Sequence, residues 1–140
     1  MSGEASPLLA AHLQKLGAAY EKQGKMEAAT LTLEEAGSVL EAAYGPEHTS
    51  VAITLTNLGN AYGDLGDAAK KKELLERALA IKEKAYGPDH PEVAITLGNL
   101  GNAYGALGEA AKKKELLERA LAILEKAYGP DHPKVAITLG

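Results

Sequence analysis

Residues Thr49–His90 read TSVAITLTNLGNAYGDLGDAAKKKELLERALAIKEKAYGPDH, and Pro91–His132 read PEVAITLGNLGNAYGALGEAAKKKELLERALAILEKAYGPDH. The two stretches differ only at Thr49/Pro91, Ser50/Glu92, Thr56/Gly98, Asp64/Ala106, Asp67/Glu109 and Lys82/Leu124; the other 36 of 42 positions are identical. The same frame runs back through the N-terminal third, where Tyr20, Gly24, Tyr44, Gly45 and Pro46 anticipate Tyr62, Gly66, Tyr86, Gly87 and Pro88. A fixed period of roughly 20–50 residues is the signature of a solenoid, whose units cover their apolar faces by stacking on one another. Solenoids present a surface and seldom enclose a reaction centre, so the period bears on function before any single residue does.

Within the middle unit, Val51, Leu55, Leu58, Tyr62 and Leu65 recur at steps of four and three, which is one face of a helix. Gly66 stops it, and Asp67 stands where an N-cap opens a second helix. Ala68, Leu74, Leu75, Ala78, Leu79, Ile81 and Ala85 carry that helix to Tyr86, where Gly87-Pro88 ends it. Asp89-His90-Pro91-Glu92 then reads as a capping-box start, with Asp89 as the cap and Glu92 three residues on. Each unit is thus a helix of about 15 residues, a tight turn and a helix of about 20, and the short linkers make successive helices antiparallel neighbours. The expected fold is all-α: an α-solenoid of antiparallel helix pairs. Residues 1–48 form a divergent N-terminal unit serving as a cap, 49–90 and 91–132 the second and third units, and 133–140 the truncated first helix of a fourth, all in one domain. Pro133–Gly140 copies a unit's opening, which points to a fragment of a longer array in preference to a half-cap.

Composition narrows the chemistry. The net charge of −4 over 140 residues argues against a nucleic-acid or acidic-membrane partner. Without cysteine there is no disulfide, thiolate metal site or cysteine nucleophile. No stretch reads as a membrane span or signal peptide, so a cytosolic location is expected. Phosphate loops, serine elbows and HExxH are missing, and Glu73, Glu76 and Glu83 intermix with Lys72, Arg77 and Lys84 as on a solvated helix face, so no enzyme is expected. His48, His90 and His132 recur once per unit, roughly 10–20 Å apart, whereas zinc needs its nitrogens at about 2.0–2.1 Å. A capping or linker-ordering role suits them; no metal or cofactor is expected.

Leu55-x-x-Leu58-Gly59-x-x-Tyr62, then Gly66, then Ala78, resembles the tetratricopeptide repeat, and the 42-residue period with its Gly-Pro-Asp-His-Pro linker looks most like the kinesin-light-chain type. The resemblance covers essentially the whole chain. It implies a right-handed superhelical α-solenoid whose first helices line a concave groove for peptides. On that pattern Asn60 and Asn102 take the place of an asparagine that grips a bound peptide's backbone or terminal carboxylate. Asn57 and Asn99 form a second pair, and Asp64, with Thr56, Gly98 and Ala106, falls in or beside the groove. In the first unit Lys15 and Ala18 replace the asparagines.

Gly59 reads as a packing site where a neighbouring helix approaches. Gly63 and Gly105 leave two readings, room for tight curvature or a bared groove floor. Where the family puts a small residue, the first unit has Ala29 but the others carry Lys71 and Lys113. Lys71 is expected to lay its stem over the apolar seam while Ala68 or Ala69 makes the close contact. The alternative is that Lys70, Lys71, Lys72, Lys112, Lys113 and Lys114 form a docking patch for an acidic partner. The leading expectation is a protein-interaction scaffold that binds a peptide segment in the groove. The rivals are a self-assembling module that stacks through the unfinished C-terminal unit, with Leu124 in the contact, and an excised or idealised array with no partner of its own.

Overall fold

A computed structural model describes residues 7–133, which contain six helices: α1 (Pro7–Lys22), α2 (Met26–Tyr44), α3 (Thr49–Asp64), α4 (Ala68–Tyr86), α5 (Pro91–Ala106) and α6 (Ala110–Tyr128). They pair as α1/α2, α3/α4 and α5/α6, and the pairs stack through α2 on α3 and α4 on α5. Of the expected fourth unit, 133–140, all but Pro133 lies outside the described residues.

The turn inside each pair is set by glycine. Gly66 takes φ +88°, a conformation side chains disfavour. With the chain so reversed, the Asp67 N–H donates to the Tyr62 carbonyl at 2.9 Å. The Asp67 side chain accepts from the Lys70 N–H at 3.0 Å, so α4 begins on the cap that the sequence predicts.

At the linker between pairs, Gly87 has φ +91° and its N–H closes on the Glu83 carbonyl at 2.9 Å. The cap of α5 is His90 and not Asp89, which corrects the capping-box expectation by one residue. Pro91 occupies the first helical position and holds His90 extended, at φ −79° and ψ 142°. From there the His90 Nδ1 accepts from the Glu92 N–H at 3.0 Å. His48 does the same for α3 from the Ser50 N–H at 3.1 Å. His48, His90 and His132 also stack on Tyr44, Tyr86 and Tyr128, with ring centroids 4.5 to 4.7 Å apart. The recurrent histidine orders the linker, as expected.

Two apolar clusters follow the stack. One joins Ala10, Leu33, Leu40, Val51, Leu58 and Ile81 across α1 to α4; the other joins Leu75, Val93, Leu97, Leu116, Ile123 and Leu124 across α4 to α6. Leu124 is only 5% exposed and belongs to the core, so it offers no free contact for self-association. On α1, Leu8 is 67% and Leu16 44% exposed.

Candidate functional site

The first helices of successive pairs stand side by side. Gln14 on α1 donates to the Thr54 hydroxyl on α3 at 2.5 Å, and Cα atoms of α3 and α5 come within 8 Å of each other. On α3, Val51, Leu55 and Leu58 turn into the core, which leaves Ile53, Asn57, Asn60 and Asp64 as a stripe at steps of four, three and four. The equivalent stripe on α5 is Ile95, Asn99, Asn102 and Ala106, and on α1 it is Ala11, Lys15, Ala18 and Lys22.

Four of the five predicted groove residues are therefore two copies of one pair, and Asp64 ends the α3 stripe. Asn57, Asn60 and Asn99 are partly exposed; Asn102 and Asp64 are exposed. Among the described residues none of the four asparagine side chains hydrogen-bonds to another group. Each thus keeps one donor pair and one acceptor for something else. Residue reasoning missed the isoleucines: Ile53 is 50% and Ile95 48% exposed, on the asparagine stripe and off the core face. Stepping back four residues from Asn57 and Asn99 would have found them.

Acid gathers where α1 and α3 end. The Glu21 carboxyl is raised above the usual carboxylate range, first by burial and then by the Asp64 charge. Two tyrosines tie each first helix to the preceding pair. The Tyr62 hydroxyl donates to Glu34 and that of Tyr104 to Glu76, both at 2.9 Å. Both phenols are held above their ordinary value, Tyr62 chiefly by the bond to Glu34 and Tyr104 chiefly by burial.

Most of the predicted lysines are engaged within the fold, while Lys114 is exposed. A Cβ on Gly63 would sit 2.7 Å from the Lys71 Cδ, and one on Gly105 would sit 2.7 Å from the Lys113 Cδ. The lysine stem crosses the seam as expected, but it rests on the bare glycine; Ala69 is exposed. Gly63 is accounted for by the stem it receives, which neither earlier reading of that position foresaw. Gly59 is the packing site expected, since a Cβ there would lie 3.4 Å from both Leu75 Cγ and the Lys71 carbonyl. Lys70 pairs with Glu73 at 3.3 Å, Lys112 with Glu115 at 3.0 Å, and the Lys72 ammonium lies 4.9 Å from the centroid of the Tyr104 ring.

A hollow on another face is lined by Pro46, Glu47, Arg77, Ala80, Ile81 and Lys84. Its charges are already paired, Arg77 with Glu41 and Lys84 with Glu47. Among the described residues no group of His, Asp or Glu is arranged to hold a metal ion, and no helix is long and apolar enough to cross a membrane.

Tetratricopeptide repeat profiles match residues 7–70, 51–92 and 93–134, the last two following the α3/α4 and α5/α6 pairs. The chain belongs to the tetratricopeptide repeat family. Among solved structures, this tetratricopeptide repeat protein is similar to the nearly identical TPR-like repeats of a kinesin light chain assigned in Podosopora anserina. The identity is 28% over 95% of this chain and 63% of that one, with a TM-score of 0.84. BtubC (BKLC) from P. vanneervenii matches at 28% identity over 93% of this chain and 52% of its own, with a TM-score of 0.83. The chain thus spans about half to three-fifths of those structures. The first TPR of Spaghetti (RPAP3), solved with the HSP90 peptide SRMEEVD, shares the fold at 22% identity and a TM-score of 0.69, over 99% of this chain and 93% of that one. A comparison with curated protein sequences finds no match. The family is one of protein-interaction scaffolds, and the array is a repeat module of that kind.

Proposed function

We propose that the chain binds a peptide segment of a partner protein along the stripe of α1, α3 and α5. The observation that carries this is the set of four asparagines without internal hydrogen bonds, flanked by half-exposed isoleucines. Polar groups committed to the fold are paired, as the Tyr62, Tyr104 and Arg119 bonds are. Apolar surface beside unpaired amides is the composition of a surface that waits for a backbone and its side chains. A tetratricopeptide repeat of like fold holds a peptide, which supports the same use here. The Lys70–Lys72 and Lys112–Lys114 runs are left out of the surface, because most of their members already have partners or a bed within the chain.

The test is to pan a random peptide library against the chain and measure the enriched binders by calorimetry. Replacing Asn60 and Asn102 together by alanine should weaken them by roughly 1–3 kcal/mol, the cost of a lost hydrogen bond in a desolvated contact. Affinity that ignores both substitutions, or a library that enriches nothing, would overturn the assignment.

A second reading has one observation in its favour. Leu8 and Leu16 on α1 are exposed at the end of the stack, where Leu58 and Leu100, the equivalents of Leu16, are buried against the preceding pair. Self-association through that end is the alternative use of the array.

A further inference from the structure

α1 packs on α2 as α3 packs on α4, but among the described residues no preceding pair lies against it. The difference shows residue by residue. Leu13 is partly exposed and Leu16 and Ala19 are exposed, whereas Leu55, Leu58 and Ala61, their equivalents on α3, are 6%, 5% and 0% exposed. The far side of α6 opens in the complementary place. Leu75 and Lys72 on α4 are fully and partly buried; their equivalents Leu117 and Lys114 are partly exposed and exposed. The two halves of the contact that joins the helix pairs thus stand open, one on α1 and one on α6.

The polar groups identify what covers these faces. Tyr20, Tyr62 and Tyr104 share one position of the unit, and Glu34, Glu76 and Glu118 share another. Each inner tyrosine donates to the glutamate of the pair before it, Tyr62 to Glu34 and Tyr104 to Glu76. Lys72 adds its ammonium, 4.9 Å from the centroid of the Tyr104 ring. The offset of one unit leaves Tyr20 without an acceptor, and Glu118 and Lys114 without a phenol. None of these three side chains has a hydrogen bond, ion pair or ring contact among the described residues. Residues 134–140 contain no tyrosine, so the group that completes α6 is carried on α1. One tie runs the other way. Arg77 pairs with Glu41 and Arg119 with Glu83, each reaching back to the preceding second helix. Glu125 is the next such acceptor, but α2 has Glu35 at the arginine position. Two exposed carboxylates would then face each other across the contact and weaken it.

We infer that the chain associates head to tail with a second copy of itself, an inference that rests on the second reading above. The second half of α1 of one copy lies on the first half of α6 of the other, as α5 lies on α4, with Tyr20 donating to Glu118 beside Lys114. Such a contact is heterologous, so a free face remains at each end and the assembly grows with concentration.

Sedimentation velocity from low to high micromolar concentration reads the association of the whole chain. Leu16→Glu blocks the α1 face and Glu118→Arg the α6 face; both positions are exposed, and circular dichroism checks the fold. Each variant alone should associate about tenfold more weakly than the parent chain, the effect of losing one buried leucine or of stranding one phenol. Mixed in equal amounts, the two should form a one-to-one pair with the parent's affinity, since each supplies the face that the other lacks. Glu35→Arg should tighten the association by about two- to fivefold, because it supplies the missing ion pair to Glu125. If the Glu118→Arg variant associates alone as well as the parent, or if Glu35→Arg brings no tightening, self-association through α1 survives and the head-to-tail contact is overturned. A parent chain that stays monomeric throughout, as when residues 134–140 cover α6 instead, overturns both readings. Association that is indifferent to Leu16→Glu does the same.

Discussion

Lys71 and Gly63 form one feature written in two places. A lysine beside the seam between two helices looks out of place, and a glycine inside a helix costs about 1 kcal/mol against alanine. Together they make sense, because the stem of Lys71 fills the volume that a side chain at Gly63 would take. The first unit solves the same packing problem the other way round, with Ala29 fully buried at the lysine position and Glu21 at the glycine position. The bulk therefore crosses from one helix to the other. Gly63→Ala alone should bring little gain or a loss, since it displaces the lysine stem. In a Lys71→Ala background the same change should stabilise by up to about 1 kcal/mol. A urea double-mutant cycle would read the difference as a coupling of roughly 0.5–3 kcal/mol, and purely additive effects would separate the two residues. This pairing was not legible in the sequence. The partners are eight residues apart across a turn, and only the rotation of α3 against α4 brings them together.

At the scale of elements, the helices were legible and their junctions only partly so. Apolar steps of three and four, with glycine and proline at the breaks, marked all six. The cap at Asp67 was legible because a short carboxylate ahead of a helix has one common use. His90 was not, since Asp89 is the commoner capping residue and only the geometry imposed by Pro91 moves the helix start forward by one. A second junction hid in a single difference between units. Lys82 is 5% exposed, and its ammonium lies 3.5 Å from the Glu92 carboxylate across the α4–α5 contact. The same position holds Leu40 and Leu124, both buried, in the other units. A largely buried ammonium is costly to desolvate, and exchanging such a pair for apolar groups is often neutral or stabilising. Lys82→Leu should therefore leave the thermal midpoint unchanged or raise it. Glu92→Ala should cost about 1–2 kcal/mol, less than for a fully buried pair because the carboxylate is half exposed. A Lys82→Leu protein as destabilised as Glu92→Ala would show that the ion pair itself holds the junction.

At the scale of the molecule, the period of 42 carried the fold, because a stack of like units has one way to cover its apolar faces. The stripe was half legible. The asparagines were found by resemblance and fall on one line of α3 and α5, but the isoleucines beside them were not singled out in an apolar-rich helix. Relative exposure separates Ile53 at 50% from Leu55 at 6%, and exposure depends on neighbours contributed by other units. The lysine runs show the converse. They look like a patch in the sequence, yet the fold engages most of them one by one. What distinguishes the stripe is that its polar groups have no work within the chain.

The most direct measurement is therefore made on those groups. In a 15N-labelled sample the side-chain amide resonances of Asn57, Asn60, Asn99 and Asn102 would be followed while a library-selected peptide is added. All four should shift together and saturate at one stoichiometric equivalent, along with the backbone amides around Ile53 and Ile95. Binding that leaves these amides in place, and moves resonances around Arg77 and Lys84 or at Leu8 and Leu16 instead, would contradict a peptide site on the first helices.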